Sequence, residues 1–291
     1  MLEYEFMRNA FVAGGIVAIV CGATGVFLVL CQLAFAGHAL SHIGFAGAAA
    51  SALVGVAPVW GLVAFTLAAG IAMGLLGEQL RGRDVAVGIV LSLALGLGVL
   101  FLYLYTTHAT QATTILFGNV LGVGRETVWA LAGMSLISMA TLAFISRPLL
   151  FATLAPELAE AKGVHLRLVS VLYLAIVAVA VSEAAQVIGV LLVFALMVAP
   201  AATALRLTSR AGFATALAVS LALLETWAGI ATAFVTNLPP SFWIVLLACA
   251  GYLFALLYWS VRDARGRIQG VGSDPIDPRV SRATGCASVI R

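Results

Sequence analysis

The 291 residues are 63% hydrophobic and 9% charged, with a mean hydropathy of +1.13 and a formal net charge of +3. Charge-free blocks cover residues 9–77, 85–124, 127–146, 184–205 and 226–261, which excludes a soluble globular domain and leaves no room for a catalytic module. The 14 Arg and the single Lys162 sit in short islands, so no basic surface for nucleic acid is present.

About 20 apolar residues span a hydrocarbon core of about 30 Å, so each block predicts one or two membrane helices and the chain an all-α, polytopic bundle of about 8–9 spans. Met1 to Asn9 carries two Glu and one Arg. The apolar block behind it is too long for a cleaved signal and is expected to stay as an anchor. Helix one is expected over 10–32 and helix two over 38–56, with Pro58 marking a turn. Helix three covers 59–79, helix four 85–105. The segment 106–126 is too short and polar for a full span and reads as a re-entrant or interfacial piece. Helix five covers 127–146 and closes at Arg147-Pro148, before an amphipathic interlude over 149–165. Helices six and seven share 167–205, with a bend near Glu183 to Gly189. Helix eight covers 212–236, Asn237-Leu238-Pro239-Pro240 is a turn, and helix nine covers 241–260. Residues 1–261 then form one transmembrane domain. The Arg-, Asp-, Gly-, Ser- and Pro-rich residues 262–291 are too poor in large apolar groups to fold and read as a disordered tail.

Nine spans place 80–84, 147–167, 206–210 and the tail on one side, with 13 of the 15 basic residues. By the positive-inside rule that side is cytoplasmic, so the C-terminus lies inside and the N-terminus outside. One re-entrant span would lower the count to eight. Gly70 and Gly74, and Gly118 and Gly122, place small faces one turn apart that allow close helix packing. The cysteines, Cys21, Cys31, Cys249 and Cys286, form no CxxC pair and read as structural.

Three groups of residues could carry chemistry. His38 and His42 are four apart and share one helix face, with glycine and alanine around them. Two imidazoles at this spacing can hold a borderline metal ion, and acidification would displace it by protonating the ligands. Two ligands suit passage rather than storage. Glu183 and Glu225, with Asn119, are polar groups inside apolar blocks, where an ionisable side chain usually faces a cavity or a partner. Finally, Pro156 suits the first turn of a helix, Glu157 and Glu160 its positive end, and Gly163 its stop. A short helix over 155–163 is therefore expected on the basic side, displaying Leu158, Ala159 and Ala161 as a docking knob for a cytosolic partner.

The chain resembles the permeases of ABC transporters that import zinc, manganese or iron in bacteria, over residues 10–260. The resemblance is carried by Ala39-Leu40-Ser41-His42 with Gly47, by Asp84 to Val90, by Ile115 to Leu121, and by Pro156-Glu157-Leu158-Ala159 through Gly163 followed by Val187 to Val193 and Pro200 to Ala204. It implies a bacterial inner-membrane homodimer that moves a divalent metal inward from an extracytoplasmic metal-binding protein. It also implies ATP hydrolysis on two separate cytosolic ATPase subunits; this chain has no Gly-Lys-Ser/Thr and hence no P-loop. The family's coupling helix carries over onto 155–163, with Pro156, Glu157, Ala159 and Gly163. The family's pathway His carries over onto His42, while His38 stands where many members have Asp. That exchange favours softer ions such as zinc over manganese. Ala155 stands where an acidic residue is common. Two alternatives stay open: a proton-coupled metal carrier or channel using Glu183 and Glu225, and an ABC permease for siderophore or cobalamin.

Overall fold

The computed structural model describes residues 4–76, 83–104, 118–208 and 210–269. The island at 78–82, most of the polar segment before Gly118 and the tail from 270 onward lie outside them. Among the described residues all regular structure is helical: α1 (Glu5–Leu30), α2 (Ala34–Leu53), α3 (Pro58–Leu76), α4 (Arg83–Leu104), a 3-10 turn (Val120–Gly122), α5 (Arg125–Leu154), α6 (Pro156–Ala161), α7 (Leu166–Ile188), α8 (Val190–Leu207), α9 (Ala211–Thr236) and α10 (Pro240–Gln269).

Eight of these helices are long and apolar enough to cross a bilayer. The ninth crossing, α2, follows from connectivity. Cys31 Sγ lies 3.2 Å from Thr153 Oγ1, so α1 and α5 finish at the same end of the bundle. The six-residue α6 links α5 to α7, and Arg167 at the start of α7 donates to Leu75 O at the finish of α3. α3 therefore begins at the opposite end, and α2 must run there from the turn after α1. Its 20 residues reach about 30 Å at 1.5 Å per residue. Two histidines and several Gly and Ser lower its hydropathy without shortening it.

α1 and α7 form the interior, with Val17, Ala18, Leu28, Leu174 and Val177 fully buried. α4 lies outside, exposing Val85, Ile89, Leu93, Val99 and Tyr103. Close approach at Gly25 sets the contact of α1 with α8: a Cβ there would overlap the Met197 carbonyl. Gly25→Val overpacks this crossing, and overpacking costs about 1–3 kcal/mol. The expected result is a lower thermal midpoint and less monodisperse protein on size exclusion in detergent, and an unchanged midpoint would refute the crossing.

Several boundaries differ from those the sequence suggests. α2 begins at Ala34 rather than 38, because Gln32 adopts a left-handed φ of 55° and reverses the chain within three residues. Pro148 does not close its helix: α5 continues to Leu154. Its missing N–H frees Phe144 O, four residues back, and proline is tolerated inside a membrane helix where the surroundings re-satisfy such a group. The bend near Glu183 to Gly189 is a full break at Gly189, whose φ of 87° and ψ of 151° suit only glycine. Gly118 and Gly122 do not lie on an α-helix: Gly122 ends a 3-10 turn and Gly118 precedes it. α10 runs to Gln269, so the expected tail boundary at 262 falls inside a helix.

Candidate functional site

His38 and His42 occupy the second and third turns of α2. Their rings meet edge to face, 4.7 Å apart at 83°. The Phe194 ring of α8 stands 5.2 Å from His38 at 71°. Gly37, Ala39, Leu40, Ser41, Ile43 and Gly44 around them are buried, while both histidines are half-buried and Phe35, one turn earlier, is exposed. The pair thus lies on a face of α2 that the described helices cover only in part, with Phe194 of α8 against it. Ser41 takes no part in it: its hydroxyl donates to Gly37 O at 3.2 Å and is buried.

Among the described residues no three His, Cys, Asp or Glu side chains come together. Neither Glu183 nor Glu225 therefore completes a three-ligand site with the histidines. Glu183 of α7 is fully buried; its Oε2 accepts a 2.7 Å bond from Ser135 of α5, and its Oε1 has no partner among the described residues. Glu225 of α9 is also buried, beside Gly251 of α10, with Oε2 unpartnered among the described residues. Asn119 is exposed, just before the 3-10 turn. Gly118, just before that turn, packs against the backbone of Val187 to Gly189 at the α7–α8 break. The histidine pair offers two lone-pair donors to a transition metal, with coordination positions left for water or a second chain. Such a site releases its ion more readily than a closed four-ligand site.

α6 is closed by a full Schellman arrangement. Gly163, at φ 81°, donates to Glu160 O at 2.9 Å, and Val164 N donates to Ala159 O at 3.0 Å. Leu154 and Leu158 are exposed, with Glu157, Glu160 and Lys162 around them. Lys162 Nζ sits 5.6 Å over the Phe151 ring. Ala159 is fully buried, not displayed as its place in the helix suggested. One face of a helix this short must rest on the bundle, and Ala159 is on it. Leu158 and Ala161 remain outward.

Sequence patterns did not point to Phe194, to the Thr66–Ser182 hydroxyl pair at 2.7 Å, or to the Tyr173 hydroxyl donating to Thr24 O at 3.0 Å. Arg167 did carry a signal. A cation in the first turn of a helix opposes that helix's dipole, so its partner had to lie elsewhere.

The model of the ABC 3 transport family matches residues 3–259. The manganese transport system membrane protein MntC of Halalkalibacterium halodurans is 30% identical over 260 residues, covering 89% of this chain and 88% of that protein. A probable iron transport system membrane protein of Haemophilus influenzae is 30% identical over 262 residues, covering 90% and 96%. Among solved structures, PsaBC from Streptococcus pneumoniae in complex with Fab aligns with a TM-score of 0.78 at 26% identity, covering 87% of this chain and 92% of that one.

Proposed function

The chain belongs to the ABC 3 transport family, and on that premise we propose that it is the permease subunit of an importer for a divalent first-row transition metal. The observation that carries the cargo class is the His38–His42 pair on a partly covered face of α2. The relatives named for manganese and iron support the same class. Imidazole nitrogen in place of carboxylate oxygen moves the preference toward the softer ions of that series, zinc among them. The remaining ligands come from water or from the same pair on a second copy, which gives a homodimer with the pathway between the two α2 faces. An extracytoplasmic metal-binding protein delivers the ion. Energy comes from separate cytosolic ATPase subunits that receive α6, whose exposed Leu158 and Glu157 form the contact. Glu183 and Glu225 are buried apart from the histidines and are assigned no role in the pathway.

We assign the C-terminus and α6 to the cytoplasm of a bacterial inner membrane, because the sequence segments expected on that side hold 13 of the 15 basic residues. A green fluorescent protein fused after Arg262 should fluoresce, and alkaline phosphatase fused there should stay inactive. Active phosphatase would reverse the assignment.

The cargo is tested by cells lacking this chain, grown in turn under manganese, iron and zinc limitation. The expected result is a deficit of at least one of the three in whole-cell metal analysis, restored by the intact chain. Unchanged content of all three would reject a metal cargo.

A further inference from the structure

We propose that Arg167 is a positioning residue which fastens α7 to α3, so that α7, α3 and α2 move as one body and carry the displacement of α6 to the histidines. The proposal rests on the permease reading above.

Arg167 follows α6 directly and sits in the first turn of α7, where its charge opposes the local helix dipole. It reaches instead to α3. There Nε and Nη2 both donate to Leu75 O, at 3.0 and 2.8 Å. That carbonyl lies in the last described part of α3. One guanidinium thus ties α3 to the first turn of α7.

The same seam continues along both helices. A Cβ on Gly74 would lie 2.5 Å from Val171 Cα, and one on Gly70 2.7 Å from Leu174 O. Further on, the hydroxyls of Thr66 and Ser182 are 2.7 Å apart. Arg167, Val171, Leu174 and Ser182 follow one stripe of α7; Leu75, Gly74, Gly70 and Thr66 follow one stripe of α3.

On its other side α3 is joined to α2 as closely. Gly47 and Gly61 each face the other's carbonyl with no room for a Cβ, and a Cβ on Gly44 would lie 2.7 Å from the Thr66 methyl. Thr66 therefore touches both neighbours, α2 through its methyl and α7 through its hydroxyl. Helices in backbone contact cannot slide without opening the packing, and packed interfaces switch rather than deform. α2 carries His38 and His42 four and eight positions after its first residue, Ala34.

The test uses the permease assembled with its ATPase in liposomes, with Cys21, Cys31, Cys249 and Cys286 replaced by alanine. Thr66→Cys with Ser182→Cys then places a disulfide across the α3–α7 seam, confirmed by mass spectrometry. ATP-driven uptake of radioactive manganese and zinc should be the same oxidised and reduced within about twofold, because the bond joins parts already in contact. Loss of uptake on oxidation, restored by reductant, would show that α3 and α7 slide and would overturn the proposal. In a separate arm, Arg167→Ala should lower uptake per ATP hydrolysed about tenfold, within the range of coupling between linked sites, while ATP hydrolysis by the intact complex continues. Arg167→Lys, which keeps a donor, should recover part of it. Unchanged uptake per ATP in Arg167→Ala would overturn the proposal whatever the fate of the cysteine pair. An unsubstituted chain, assembled with its ATPase, that hydrolyses ATP and moves none of manganese, iron and zinc would instead reject the permease reading.

Discussion

Replacing His38 and His42 together with alanine is expected to abolish metal uptake while the permease still assembles with its ATPase. Each imidazole supplies one lone pair, and every 1.4 kcal/mol of lost binding is about tenfold in occupancy. With only two donors per chain there is no reserve. His42→Ala alone should be nearly as severe, since His42 aligns with the pathway His that the sequence resemblance implies. His38→Asp should keep uptake and move preference toward manganese, because an anionic oxygen replaces a neutral nitrogen. The side chains are half-buried and their backbone is set by α2, so neither change removes core packing. Uptake of radioactive manganese, iron and zinc into vesicles, beside a pull-down of the ATPase, separates a site defect from a folding defect. Normal uptake by an assembled double mutant would eliminate the site and send attention to Glu183 and Glu225.

Interrupting α6 should stop transport by a different route. Gly163→Pro removes the N–H that bonds Glu160 O and forbids the φ of 81°; proline fixes φ near about −65°. The Schellman closure is lost and the chain leaves α6 in a new direction. Glu157→Lys reverses the charge of an exposed residue in the first turn, where a negative group is favoured by about 0.3–1 kcal/mol. Its effect on folding is therefore small, and its effect on docking is direct. Both variants should reach the membrane in normal amount, and uptake should fall to background in each. ATPase co-purification should be weakened in Glu157→Lys and uncoupled from transport in Gly163→Pro. Wild-type uptake in both would show that α6 is an ordinary connector.

Much of this arrangement is written in local pattern. The charge-free blocks determine a helical bundle, because hydrocarbon offers no partner for backbone N–H and C=O and only internal hydrogen bonding satisfies them. The i,i+4 spacing puts His38 and His42 on one face whatever surrounds the helix. Proline at 156 and glycine at 163 bound α6, since one lacks an N–H that a first turn does not need and the other takes a φ that larger residues avoid.

What the sequence could not decide is which face of each helix meets protein and which meets lipid. In water an apolar stripe points to the core, but in a bilayer both surroundings are apolar and the stripe vanishes. α1 and α4 have similar compositions, yet one is interior and the other peripheral. Pro148 reads as a stop and is not one, because its neighbours decide whether the helix continues. Ala159 reads as displayed and is buried, because only the docked bundle selects the hidden face of a short helix. Phe194 on His38, Thr66 on Ser182 and Arg167 on Leu75 join residues 156, 116 and 92 positions apart. Composition and periodicity describe one helix at a time, and these contacts exist only once the helices have chosen their partners.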